Sequence, residues 1–194
     1  MATVLTPKFR ASYPHLFKPQ KNDLNGKTEY SIVAIFPKGT DLTPLKKAAE
    51  AVLVEKFGAD KTKWPTNLRN PFRKCSERWK NDGGKQSIPA GYEDGDAIFM
   101  TFKQDAEKSR PTVVDQQVQE ILEPQHVYAG MYARASVRPY YYNQKGNQGV
   151  SFGLNNVQKM DDGEPLGGGK TRAQDDFEAV AADMAAQSAG SLFD

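Results

Sequence analysis

The stretch AGMYARASVRPYYYNQKGNQGVSFGLNNVQKM, residues 129–160, decides the fold, because it predicts a long strand, a hairpin loop and a returning strand. Its first part, residues 129–142, alternates with the period of two of a β-strand. One face carries Met131, Ala133, Ala135 and Val137, and the other carries Tyr132, Arg134, Ser136, Arg138, Tyr140 and Tyr142. The first face is typical of a core. The second combines rings and cations, which is unusual for a surface that only meets water.

The returning strand is predicted at residues 150–160, after a loop at residues 143–149. Alternation places Val150, Phe152 and Leu154 in the core and Ser151, Gly153 and Asn155 on the opposite face, where small polar side chains leave room for a ligand. A stacking role for Phe152 is the alternative to its place in the core. Tyr141 has the parity of the apolar face and is predicted to lie in the core.

The rest of the chain supplies shorter signals. Further strands are predicted at residues 6–20, 28–37 and 96–103, with a short extended piece at residues 110–115. A helix is predicted between Thr43, which can cap it, and Gly58, which can end it, with Pro44 in its first turn. Residues 59–95 predict a long irregular loop in which Trp64 and Trp79 act as anchors.

These elements predict an all-β fold with one inserted helix. The number of strands, the hairpins and the position of the helix favour an OB-fold-like five-stranded barrel, with a β-sandwich as the competing architecture. The predicted domain covers residues 3–160 with an insertion at residues 41–95. Residues 161–194 predict a linker and a flexible, disordered acidic C-terminal tail, because they are rich in Gly, Ala and acidic side chains.

The composition excludes several classes of protein. The chain has 194 residues, 38% of them hydrophobic, and a mean hydropathy of −0.68, and no apolar run approaches the roughly 20 residues of a membrane span. The start of the sequence predicts no secretory signal. One cysteine and two histidines exclude a disulfide framework and give too few ligands for a structural zinc site. We therefore expect a cytoplasmic protein with no metal and no cofactor.

The charge is unevenly distributed. Residues 1–160 carry a net charge of +8, whereas residues 161–194 carry −6. A basic body predicts a polyanionic partner. Rings beside cations suit single-stranded nucleic acid, because its bases stack on rings while Lys and Arg neutralise its phosphates. The predicted DNA-binding residues are Tyr132, Arg134, Arg138, Tyr140 and Tyr142 on the strand, Lys145 at the hairpin tip, Lys8, Arg10 and Lys18 on the first strand, and Arg73 and Lys74 in the basic loop LRNPFRKC.

Each of these predictions has a structural alternative. The tyrosines can instead pack beneath the long insertion while the arginines extend into solvent. The tail residues Asp175, Asp176, Phe177, Leu192, Phe193 and Asp194 predict a segment that binds a partner protein and competes with nucleic acid for the basic body, with simple solubilisation as the alternative. A metal-dependent nuclease using Asp94, Asp96 and Glu107 is the rival function. A structural protein of the virion is a third.

The segment YYYNQKGNQGVSFGLNNVQK, with FRASYPHLFKPQ and YSIVAIFPK upstream, resembles a family of tailed-phage single-stranded DNA-binding proteins with an OB-fold. The resemblance covers residues 3–167. The acidic end, with Phe193 followed by Asp194, resembles the tails of phage members. The resemblance implies a protein that coats single-stranded DNA in phage replication, recombination and repair, inside the bacterial host. It also implies a tail that recruits replication and recombination proteins and restrains DNA binding. A monomer and a homodimer both remain open.

Overall fold

The computed structural model describes residues 3–23, 26–79, 92 and 96–166. The strands are β1 (Val4–Leu5), β2 (Phe9–Lys21), β3 (Thr28–Phe36), β4 (Leu68–Arg69), β5 (Arg73–Lys74), β6 (Ile98–Asp105), β7 (Thr112–Val114), β8 (Tyr132–Gln144) and β9 (Asn147–Asp161). The helices are α1 (Thr43–Phe57) and the short α2 (Cys75–Trp79), with single 3₁₀ turns at Lys61–Lys63 and Pro124–His126. Every predicted strand is present, within three residues at each end.

Five strands close a ring in the order β2–β3–β6–β9–β8 and back to β2. The pairing of β6 with β9 is parallel, and the other four pairings are antiparallel. This closed ring resembles the barrel of an OB-fold. The predicted fold class is therefore confirmed, and the alternative of a β-sandwich is wrong.

The barrel is filled by the apolar face of each strand. Phe9, Phe36, Phe102 and Phe152 are fully buried, and neighbouring rings meet edge to face with centroids 5.7 to 6.2 Å apart. Phe152 is thus a core residue, so the alternative of a stacking role is wrong. Phe72, from the long insertion, packs on Phe152 at 6.1 Å and anchors the insertion to the core.

Helix α1 covers one end of this core with its buried Leu45 and Ala49. It ends at Gly58 as predicted. The predicted cap by Thr43 is wrong: no cap side chain bonds at the N-terminal residue, and the backbone N–H of Thr43 donates to Oδ1 of Asp41 at 2.9 Å. Aspartate side chains commonly accept a hydrogen bond from the backbone N–H two residues later, as Asp41 does here.

The hairpin between β8 and β9 is longer and tighter than predicted. The strands pair through Gln144 and Asn147, which leaves Lys145 and Gly146 as a two-residue turn. Both turn residues have positive φ, 51° and 84°, as a type I′ turn requires. The hairpin therefore extends the outer face of β8 as far as Gln144.

Residues 162–166, which we call the strap, return across the barrel after β9. The Tyr128 hydroxyl donates to the Gly163 carbonyl at 3.0 Å, and the Leu166 N–H donates to the Ala129 carbonyl at 2.8 Å. The first residues of the predicted linker are thus packed on the body. The predicted tail residues lie outside the described residues.

Among the described residues, no helix combines the length and the apolar character needed to cross a membrane.

Candidate nucleic-acid interface

The predicted face of β8 is present, and its alternation continues through Tyr142. Ala133, Ala135 and Val137 are buried in the core, while the side chains between them point away from it. Both irregularities in the pairing of β8 with β9 place the extra residue on β9. Because β8 itself is uninterrupted, Arg138, Tyr140 and Tyr142 stay on one outer surface.

The register brings neighbouring strands onto that surface. Tyr142 pairs with Gly149, and Gly149 pairs with Arg69 of β4. Paired residues share a face of a sheet, so the phenol and the guanidinium group lie in one row across a glycine. Burial raises the pKa of Tyr142, and the charge of Arg69 acts in the opposite direction. The ring is thus held against protein on one side and next to a cation on another.

A second row crosses the barrel four residues earlier in β8. Arg138 pairs with Gly153, and Gly153 pairs with Lys103 of β6. Arg138 donates from Nη1 to Oδ1 of Asn155 at 3.3 Å, and Lys103 pairs with the half-buried Glu29 at 2.9 Å. Both cations are fixed by a neighbour yet remain partly exposed. We call the outer surface formed by Arg69, Lys103, Arg138, Tyr140 and Tyr142 the tyrosine face.

Two glycines of β9 lie in close contact with neighbouring residues of this face. A Cβ on Gly149 would lie 2.7 Å from the Arg69 carbonyl oxygen, so only glycine lets β4 approach β9 this closely. A Cβ on Gly153 would lie 3.4 Å from Nη2 of Arg138. Ser151, between them, pairs with Tyr140. Small residues of β9 therefore lie between the rings and cations of β8 and the cation of β4.

Tyr141 lies on the opposite side of the sheet from Tyr140 and Tyr142. Its ring meets Phe57 of α1 edge to face at 5.4 Å, and its hydroxyl donates to Oε1 of Gln148 at 2.5 Å. It lies on the predicted side of the sheet, but it is only partly buried between helix and sheet and is not one of the core residues. The three consecutive tyrosines therefore divide into two that face outward and one that holds α1.

The predicted residues at the start of β8 lie elsewhere. Tyr132 and Tyr142 are ten residues apart, which is about 33 Å along a strand. Tyr132 lies near two cations, Lys8 at 5.2 Å and Arg10 at 5.8 Å from its ring centroid. Arg10 is only 8% exposed, and its Nη2 donates to the Glu164 carbonyl at 2.8 Å. Lys8 pairs with Asp161 at 3.0 Å. This group lies beside the strap and is separate from the tyrosine face.

Three further predicted residues have exposed side chains at different places. Arg134, the third residue of β8, donates from Nε to Oε1 of Gln158 at 2.8 Å. Lys145 lies at the tip of the β8–β9 hairpin and Lys18 in the outer part of β2. In an OB-fold, the hairpins between the first and second strands and between the fourth and fifth strands flank the nucleic-acid path. Lys18 and Lys145 belong to those two hairpins.

The predicted basic loop also contributes to the outer surface. Arg73 pairs with Phe99 of β6, and its guanidinium carbon lies 5.3 Å from the centroid of that ring. Arg73 also pairs with Glu77 at 3.3 Å, and Lys74 pairs with Asp96 at 3.5 Å. Both cations are exposed and partly neutralised, so they extend the basic surface more weakly than their number suggests.

Lys103 and Arg69 are not among the predicted binding residues, although Arg69 lies in the predicted basic loop LRNPFRKC. Lys103 has the same outward parity as Phe99 and Thr101 in β6. The alternation of that strand therefore could have predicted its position. Arg69 had no such signal, because β4 has two residues and its pairing with β9 joins positions 80 residues apart.

The acids of the rival nuclease do not come together. Asp96 and Glu107 lie beyond opposite ends of β6, and Asp96 pairs with Lys38 at 3.3 Å. Eight strand residues separate them, about 26 Å. Asp94 lies outside the described residues. In the part of the chain that the structure describes, no three His, Cys, Asp or Glu side chains are close enough to hold a metal ion.

Solved structures of two phage proteins share this fold. The solved structure of the single-stranded DNA-binding protein from bacteriophage Enc34 in complex with ssDNA matches with a TM-score of 0.60 and 24% identity, over 85% of this chain and 89% of that one. The single-stranded DNA binding protein encoded by bacteriophage T7 matches with a TM-score of 0.52 and 18% identity, over 93% and 99% of the two chains.

A curated relative, putative protein p50 of Acyrthosiphon pisum secondary endosymbiont phage 1, is 29% identical over 174 residues, covering 87% of this chain and 89% of the relative. The family model described as Enterobacter phage Enc34, ssDNA-binding protein, matches residues 2–187. The barrel and the sequence therefore lead to one conclusion: the chain belongs to the family of the Enterobacter phage Enc34 ssDNA-binding protein.

Proposed function

We propose that the chain is a non-enzymatic, sequence-tolerant single-stranded DNA-binding protein that acts in phage DNA replication, recombination and repair in the cytoplasm of the bacterial host. The observation that carries this proposal is the tyrosine face, on which two outward rings and three cations share the outer surface of an OB-fold barrel. Membership of the Enc34 family supports the same function.

The two rings differ in role from the three cations. A base stacked on a protein ring contributes about 1–3 kcal/mol, whatever its identity, because every base has a π-face. Arg69, Lys103 and Arg138 neutralise phosphates and carry no sequence information. Stacking on rings and charge pairing with phosphates are both independent of base identity, so we expect little preference between sequences.

The spacing of the rings constrains the bound strand. Tyr140 and Tyr142 are two residues apart on β8, about 6.7 Å. Neighbouring bases in a duplex strand are about 3.4 Å apart. Successive bases therefore reach both rings only if the strand is extended and its bases are unstacked. Duplex DNA cannot meet this condition without melting.

The decisive experiment is a titration of fluorescent poly-dT at two salt concentrations, with duplex DNA as competitor. We expect log K to fall with log salt by about 0.7 for each phosphate neutralised, and duplex to compete poorly. Equal competition by duplex would refute the proposal. Incubating labelled strands with magnesium or manganese provides the control for the rival nuclease, because a binding protein leaves them intact.

The acidic tail has two proposed roles. It recruits phage or host replication and recombination proteins through Leu192 and Phe193, and its carboxylates compete with DNA for the basic body. The net charges of +8 for residues 1–160 and −6 for residues 161–194 support the competition.

A further inference from the structure

A second concave surface lies near the other end of the β8–β9 ladder from Tyr140 and Tyr142. It is a cavity of about 530 Å³ between the segment that follows β7, residues 115–126, and the end of β9. Its apolar lining comes from Ile121, Leu122 and Met160. We call it the acidic groove. The tyrosine face does not include any of its residues, so it is available while the tyrosine face is occupied.

The groove and the loop beside it expose two large apolar side chains, of which Leu122 lines the groove and Val118 lies outside its lining. Leu122 is 70% exposed and Val118, on the same loop, is 67% exposed. They are the two most exposed large hydrophobic side chains among the described residues. Exposed apolar groups with polar neighbours mark surfaces that bind another protein.

The walls of the groove are held in place without a ligand. The carboxylate of Asp115 accepts hydrogen bonds from the N–H groups of Gln117 and Gln119, at 2.9 and 2.8 Å. The Gln116 side chain donates to the Met160 carbonyl, and Gln158 donates to the Asp115 carbonyl at 2.9 Å. These bonds tie the loop to β9. A partner therefore meets a formed surface and loses little free energy in ordering it.

The charge of the groove is opposite to that of the body. Its lining includes five carboxylates against one lysine and one histidine: Asp115, Glu120, Glu123, Asp161 and Asp162 against Lys159 and His126. Cations outside the lining pair with two of the acids, Arg110 with Glu120 and Lys8 with Asp161. These pairs are exposed and leave an excess of negative charge.

We propose that the acidic groove binds a basic, amphipathic peptide segment of another protein. Lysines or arginines of that segment would meet the carboxylates, and its apolar side chains would cover Leu122 and Ile121. The other occupants fit less well. DNA and the chain's own tail, which has five acids and no cation in residues 173–194, are both repelled. A symmetric contact with a second copy would place acidic groove against acidic groove.

The test uses fluorescence anisotropy with the full-length chain and a labelled 12-residue peptide of alternating Lys and Leu pairs, in the absence of DNA. The variant Leu122→Ser with Glu123→Lys alters the groove at two exposed positions. The matched control is Val54→Ser with Glu55→Lys on α1, which makes the same two changes at another exposed apolar–acidic pair. The tail is present in all three chains, so differences between them report the groove.

We expect the groove variant to bind the peptide at least tenfold more weakly and the α1 control to bind within twofold of the unmodified chain. A second peptide with Ser in place of Leu should also bind at least tenfold more weakly. Equal weakening in both variants, or equal binding of both peptides, would show attraction by charge alone and overturn the proposal. Self-association of the unmodified chain in sedimentation velocity, lost in the groove variant, would assign the surface to a second copy and also overturn it.

Discussion

Replacing Tyr140 and Tyr142 with alanine should weaken binding of single-stranded DNA without unfolding the protein. Neither ring enters the barrel core, and both lie on the outer surface of β8. Two stacked bases are worth about 2–6 kcal/mol together. The lower figure corresponds to roughly a 30-fold increase in Kd. Anisotropy of labelled poly-dT gives the affinity, and thermal unfolding followed by circular dichroism gives the stability.

The adjacent residue Tyr141 provides the matched control, since it has the same chemistry on the opposite face. Tyr141→Ala removes the contact with Phe57 and the hydrogen bond to Gln148. We expect it to lower the unfolding temperature and leave the affinity for poly-dT within about threefold, below 1 kcal/mol. If Tyr141→Ala weakens DNA binding as much as the double variant, or if the double variant binds normally, the assignment of faces is wrong.

Four other changes test separate parts of the structure. Arg138→Ala should reduce the salt slope of poly-dT binding by about 0.7, and an unchanged slope would remove Arg138 from the phosphate contacts. Deleting residues 173–194 should tighten DNA binding at low salt, whereas unchanged affinity in the same titration would leave the tail a docking or solubility role. Gly130→Ala should destabilise the fold by about 1–3 kcal/mol in urea unfolding, because φ is +113° there and the new Cβ would meet the Glu164 carbonyl; a neutral effect would contradict the packing of the strap. Burial raises the pKa of Cys75 to about 11, so its thiol should resist Ellman's reagent at pH 8 until guanidinium unfolds the chain; rapid reaction of the native protein would contradict its burial.

The sequence predicted the part of the tyrosine face that lies on β8, because alternation in a strand is a local property. Residues that follow each other in β8 must point to opposite sides, so the division between Tyr141 and its neighbours needed no tertiary information. The closed ring followed from the number of strands and their hairpins. The tight turn at Lys145 and Gly146 was less evident, since the surrounding Asn and Gln residues are also typical of a loop.

The position of Arg10 could not be predicted in the same way. Its parity on β2 is outward, as the sequence implied, and it pairs with Ile35 and Tyr132 in antiparallel ladders. What covers it is the strap, more than 150 residues away in a stretch whose Gly, Pro and acidic residues are typical of a linker. No local pattern indicates that such a stretch packs back on the barrel.

The segment between β4 and β5 also affects how the barrel wall holds together. Where β6 and β9 diverge, Arg69 of β4 continues the pairing of β9 and Arg73 of β5 continues that of β6. The barrel wall thus has a seam between β6 and β9. One short segment of chain, from β4 to β5, pairs with the edges of both strands there and covers them. A polyanion lying across Arg69 on the β9 side and Lys103 on β6 would contact both sides of that seam. Amide exchange at the seam should then slow when DNA is bound. Removing the insertion to make a smaller binding protein would expose unpaired strand edges that promote aggregation.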